Sequence, residues 1–98
     1  MPVTAILDLH LKADALDRAN DVMRETLTAT RAFPGCLDVT VLVDSAEPTH
    51  VILYELWESL EHDAAYRQWR TTKEGASNLR TVLAAPPTLT TFTVAEGV

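Results

Sequence analysis

Few side chains in this sequence are suited to bond-making chemistry, and they are spread along its length. The histidines are His10, His50 and His62, each with a reference pKa of about 6.5 that suits proton transfer near neutrality. No two form an HxH or HxxxH pair and no CxxC pair occurs, so no metal-ligand spacing is present and no metal is expected. With three glycines in all and neither GxGxxG nor a Walker-type loop, phosphate cradling is not expected. Nothing resembles the nucleophile elbow of a serine hydrolase. Cys36, the single cysteine, cannot close an intramolecular disulfide and reads as a small buried apolar residue opening a strand. Glu55 is less ordinary, because it interrupts the apolar run from Val51 to Trp57. A buried carboxylate needs a partner, so it either pairs with an arginine or acts as a base, and the pair is the favoured reading. Arg67, Arg70 and Lys73 recur at helical spacing and read as a solvated face.

The elements that must position these groups follow from periodicity. Residues 3–11 alternate, with Val3, Ala5, Leu7, Leu9 and Leu11 on one side, which predicts a strand with one apolar face. Residues 14–33 change to a helical period through Leu16, Ala19, Met23, Leu27 and Thr30, with Asp14 as the expected N-cap. Pro34-Gly35 ends that helix. Residues 36–44 and 50–58 read as two strands joined by a hairpin loop. The second of these is apolar on both faces, which places it centrally and predicts cover on both sides. Ser59 caps a second helix running to about Arg70, and a looser stretch spans 71–76. A short helix is expected over 77–84, then Pro86-Pro87, then a last strand over 88–95.

The order β, α, β, β, α, β predicts one α+β domain over residues 1–98, with a ferredoxin-like, four-stranded antiparallel sheet. Helices cover one face of such a sheet. The apolar residues left on the other are expected to be buried by a second copy of the chain in a two-fold homodimer. The net charge of −6 and the scatter of the basic residues oppose nucleic acid and anionic membranes as partners. No apolar run approaches the roughly 20 residues of a membrane span. The first residues lack the basic region and continuous apolar core of a signal peptide, so a cytoplasmic location is expected.

The segments Pro34-Gly35-Cys36-Leu37, Leu53-Tyr54-Glu55-Leu56-Trp57-Glu58-Ser59 and Ala64-Ala65-Tyr66-Arg67-Gln68-Trp69, in this element order, resemble the antibiotic biosynthesis monooxygenase family. Tyr54 to Ser59 is the sharpest match, and the likeness in element order covers nearly the whole chain. The resemblance implies a dimeric α+β barrel with a pocket between sheet and helices in each subunit. Within the family, Ala65-Tyr66-Arg67 and Asn78-Leu79-Arg80 are similar to segments of the quinone-forming branch, the second of which supplies an active-site arginine. The chain also departs from the pattern. Tyr66 stands where many members carry a helical His, nine residues after Trp57. Leu53 stands where quinone-forming members often have Asn. Strand one lacks the Asn of the haem-degrading relatives, which weakens a haem reading.

The resemblance implies a monooxygenase that needs no cofactor and uses O2 to convert a polycyclic phenol, anthrone or hydroquinone into a quinone. Such a protein must bind a flat apolar ring, stabilise an oxyanion and exclude bulk water. Trp57 is the expected ring wall, Tyr66 and Arg80 the oxyanion partners, and His62 or His10 the proton acceptor. Leu53, Glu55 and Trp69 complete the expected substrate contacts. Two other readings stay open: a polyketide cyclase or isomerase on the same scaffold, and a non-catalytic small-molecule-binding dimer.

Overall fold

The computed structural model describes all 98 residues. The first strand, β1 (Val3–His10), carries Val3, Ala5 and Leu9 into the core and sends Thr4, Ile6, Asp8 and His10 to the opposite side. Strand alternation alone produces this division. β1 pairs antiparallel with β3 (His50–Trp57), Val3 standing opposite Trp57 and His10 opposite His50. β2 (Cys36–Val43) joins the outer side of β3, with a register shift between Cys36 and Asp38. β4 (Thr88–Phe92) joins the outer side of β1. The sheet order β2-β3-β1-β4 is the ferredoxin-like one, and all its pairings are antiparallel.

Two helices lie on one face of this sheet. α1 (Leu16–Ala32) buries Ala19, Met23, Thr26, Leu27 and Thr30, a single stripe at helical spacing. Of these, Ala19, Met23 and Leu27 meet Leu9, Val39, Val51 and Leu53 of the strands, with Val82 closing the cluster. α2 (Leu60–Arg70) begins at Ser59, whose Oγ accepts the backbone N–H of His62 at 3.2 Å. It buries Tyr66 against Val3, Ala5 and Trp57 in a second, smaller cluster.

Several expectations need correction. Asp14 does not cap α1, because the chain leaves β1 through a 3-10 turn over Ala13–Ala15, and Ala15 occupies the cap position without a side-chain bond. That turn is set by the Lys12 N–H, which donates to the Val82 carbonyl at 2.8 Å. The short helix expected over 77–84 is only a 3-10 turn, Leu79–Val82. Leu11 forms an isolated bridge with Leu83, so the segment is drawn along the sheet end instead of coiling further. β4 stops at Phe92, short of residue 95. Cys36 is half-buried rather than buried, and packs between the two clusters. The central position of β3 is as expected, but within one chain only its helix-side face is covered. On the other face Tyr54 is exposed, and Ile52 and Leu56 are partly exposed.

Gly35 fixes the passage from α1 to β2. Its φ of 91° lies in the left-handed region, and a Cβ there would collide with the imidazole of His62. Its carbonyl accepts the Glu58 N–H at 2.8 Å, tying the turn to the end of β3. Gly35→Ala is therefore expected to destabilise the chain by about 2 kcal/mol, read as a lowered urea midpoint with an unchanged slope.

Candidate active site

Between the sheet and the helices lies a cavity of about 880 Å³. Leu7 and Leu53 of the sheet form its apolar floor, with Glu55 at one side. Thr26 and Leu27 of α1 and Tyr66, Arg67 and Arg70 of α2 form its walls, and the segment from Ala76 to Pro87 forms its rim. The volume falls within the range of small-molecule sites, about 300–1,000 Å³.

Three polar arrangements define its chemistry. Glu55, 1% exposed, accepts from Arg67 Nη2 at 2.7 Å and from the Trp57 indole N–H at 3.2 Å. Arg67 also donates from Nε and Nη2 to Asp63, at 3.1 and 2.8 Å. Burial opposes the charge on Arg67, and the carboxylates of Glu55 and Asp63 outweigh that effect, raising the guanidinium above its ordinary value. The sequence reading of Arg67 and Arg70 as a solvated face is thus corrected, because both are half-buried and both line the cavity.

The second arrangement centres on the Tyr66 hydroxyl. It accepts from Arg70 Nε at 2.7 Å and shares a 2.6 Å hydrogen bond with Thr30 Oγ1. Arg70 also donates to the carbonyls of Thr26 and Gly75, at 2.8 and 3.1 Å, and to Thr30 Oγ1 at 3.0 Å. All of these partners are neutral. Arg70 therefore keeps an uncompensated positive charge at the cavity wall and orients the phenol. The third element is Arg80, which stands exposed on the rim. The cavity thus joins an apolar floor to a hydroxyl and to two cations, Arg70 and Arg80, that have no carboxylate partner, with Arg67 neutralised beside them.

Of the residues singled out from sequence, Leu53, Glu55, Tyr66 and Arg80 line this cavity. Trp57, His62, Trp69 and His10 do not. Trp57 is on the helix side but is 0% exposed, covered by Tyr66 at 4.9 Å and Phe33 at 6.3 Å between ring centres. Trp69 packs at a tilt against Phe33, with ring centres 5.3 Å apart, and lies beneath the Arg70 guanidinium at 4.9 Å. His62 sits in the first turn of α2, its Nδ1 2.7 Å from Ser59 Oγ and its ring against Gly35. His10 is on the opposite face of the sheet, where the alternation of β1 sends every even-numbered residue of the strand. Neither histidine is placed to take a proton from a molecule in the cavity. Burial, and after it the negative charge of Glu55, pushes the Cys36 thiol up, so it is not a ready nucleophile.

Arg67, Arg70, Thr26 and Thr30 were missed as site residues. Their signal lay in i,i+4 spacing: Asp63 with Arg67, Tyr66 with Arg70, and Thr26 with Thr30.

On the helix-free face, His50 Nδ1 stands 2.8 Å from Asp44 Oδ2 and His50 Nε2 stands 2.8 Å from Asp8 Oδ1. The hydrogen bond to Asp44, with that to Asp8, raises the His50 pKa. The same contact with His50 holds the Asp44 carboxyl below its ordinary value.

The family model described as antibiotic biosynthesis monooxygenase matches residues 2–76, and the chain belongs to that family. No curated protein matches the chain. Among solved structures, the chain is similar to an antibiotic biosynthesis monooxygenase at 23% identity and a TM-score of 0.76, over 95% of this chain and 98% of that one. It is similar to Rv0793 from Mycobacterium tuberculosis at 20% identity and 0.74, over 100% of both chains. A point mutant of SnoaB, a cofactor-independent oxygenase from Streptomyces nogalater, superposes at 0.81 with 15% identity, over 99% of this chain and 96% of that one. At these identities the likeness to the solved structures is one of fold. No helix is long and apolar enough to cross a membrane.

The Glu55–Arg67–Asp63 cluster makes a testable statement about stability. Arg67→Met leaves two buried carboxylates without their cation and is expected to cost about 3 kcal/mol or more. Glu55→Gln leaves Arg67 its Asp63 partner and should cost clearly less. Denaturant titration of both variants checks the order.

Proposed function

We propose that this chain is a monooxygenase that oxidises a flat phenolic substrate (a polycyclic phenol, an anthrone or a hydroquinone) to a quinone, using O2 and needing no cofactor for that step. The observation that carries this reading is the cavity itself, where an apolar floor faces the Arg70–Tyr66 pair and the Arg80 rim. A neutral ring system fits against Leu7 and Leu53. An ionised phenol or enol oxygen fits toward the arginines, whose charge favours the deprotonated substrate. Membership of a monooxygenase family supports the same reaction class.

The reaction balances without a redox group on the protein. The deprotonated substrate gives one electron to triplet O2, and the substrate radical and superoxide combine to form a peroxide at the ring carbon. Cleavage of its O–O bond leaves one oxygen on the carbon as the new carbonyl. The other leaves as water, taking up the protons that the substrate has lost. The protein's share is to hold the anion, keep the ring oriented and limit water. Tyr66 can turn its proton from Thr30 toward a substrate oxygen, because Thr30 is able to donate in its place. With His10 and His62 outside the cavity, the substrate's first proton leaves through the open rim to solvent, and the cations supply the bias that a neighbouring base would otherwise give.

We further propose that residues 1–98 act as one unit within a homodimer formed through the helix-free face. That face leaves Ile6, Ile52, Tyr54, Leu56, Leu42 and Phe92 partly or fully exposed, an apolar patch of the kind that marks an interface.

Two measurements test these readings. With chelator-treated protein and an anthrone or hydroquinone, oxygen uptake and quinone absorbance should rise together. Both should fall by about tenfold or more in Arg80→Ala and in Tyr66→Phe, as expected for loss of an oxyanion partner. Turnover that continues under anaerobic conditions would instead point to a cyclase or isomerase. For the dimer, light scattering should give twice the chain mass, and Tyr54→Asp should give the monomer mass while the circular dichroism spectrum is retained.

A further inference from the structure

The helix-free face carries a second cluster of chemistry-bearing groups, separate from the cavity. Strand alternation puts Asp8 and His10 on the same side of β1, and the β1–β3 register sets His50 directly opposite His10. Asp8 Oδ1 stands 2.8 Å from His50 Nε2 and 3.5 Å from His10 Nε2. The ligand atoms of all three residues lie within 4.8 Å of one another. The two imidazoles are stacked, with ring centres 5.0 Å apart and planes 10° from parallel.

We propose that Asp8, His10 and His50 bind a divalent first-row transition ion of the zinc type. Metal–ligand bonds of about 2.0–2.2 Å place tetrahedral ligand atoms roughly 3.3 Å apart. Both imidazole–carboxylate distances lie near that spacing. The remaining adjustment falls to His10, whose side chain is 59% exposed and has room to turn. Two imidazoles and one carboxylate suit zinc and its neighbours better than magnesium or calcium. Three protein ligands leave one tetrahedral position open for a further donor.

A second observation points the same way. His50 presents Nε2 to the cluster because its other ring nitrogen, Nδ1, is held by Asp44 at 2.8 Å. A carboxylate on the far nitrogen is the usual means by which a metal-binding imidazole is oriented. Asp44 comes from the start of the β2–β3 loop, so the cluster draws on β1, β3 and that loop. Asp8 and Asp44 together bring two negative charges beside the imidazoles, which favours a cation at the cluster. Sequence spacing hid the site because the two histidines are 40 residues apart and meet only through strand pairing.

The test is calorimetric titration of the chelator-treated, full-length chain with zinc chloride. The expected result is one ion per chain with a micromolar or tighter Kd, and no heat of binding from magnesium chloride. His10→Ala, His50→Ala and Asp44→Asn should each weaken binding by about tenfold or more. The double variant Cys36→Ser, His62→Ala should bind as the unaltered chain does. Absence of saturable binding, or affinity unchanged in His10→Ala and His50→Ala, overturns the proposal. Should those variants fail to fold, the imidazole proton resonances of the unaltered chain decide. Those of His10 and His50 should shift with zinc while that of His62 stays fixed, and any other pattern overturns the assignment. The readout is ion binding on the face opposite the cavity, so its failure would leave the oxygenase reading untouched.

Discussion

A carboxylate that loses its water must find compensation inside the protein, and Glu55 meets that condition in the middle of the central strand. Its partner, Arg67, reaches down from α2 and also holds Asp63 on the same helix. The bridge fixes the rotation of α2 about its own axis over β3. With that rotation set, Tyr66 falls onto Trp57, and Arg70 falls against Thr26 and Thr30 of α1. The cavity is the space these ties enclose. α2 has only Asp63 and Tyr66 fully buried, so its position depends more on directional contacts than on a wide apolar face.

This dependence explains what could be read in advance. The strands and α1 were legible because each buries a regular stripe, and period is the signal that a stripe leaves in sequence. The βαββαβ order followed from the same periods, and the Ser59 cap from its residue type at a helix start. The region after Arg70 was poorly legible. Its path is set by backbone bonds to distant residues, such as Lys12 to Val82 and Ala84 to the His10 carbonyl, and no local pattern encodes those.

The site was half legible. Glu55 stood out by residue type, and Tyr66 and Arg80 by the family resemblance, and all three line the cavity. Trp57 is shut off from it by its aromatic neighbours, and His10 by the face of the sheet it occupies. Glu55 shows the more favourable case, since burial of a carboxylate demands a partner and the expected arginine is present. The arginine cluster shows the opposite case. Its spacing fits a solvated face equally well, and the buried carboxylate below it is what turns Arg67 inward.

The rim of the cavity runs from Ala76 to Pro87, while the family match ends at residue 76. Floor and walls therefore lie within the stretch that the family model matches, and nearly all of the aperture lies beyond it. That stretch contains one short 3-10 turn and contributes no strand to the sheet. Val82 is buried in the core, and Val82 to Ala84 are tied by backbone contacts to the end of β1, but the exposed side chains of this stretch can change without disturbing strand register or the Glu55–Arg67 bridge. Such a division separates a rim, where exposed side chains including Arg80 shape the aperture, from the Arg70 charge set in the wall below it.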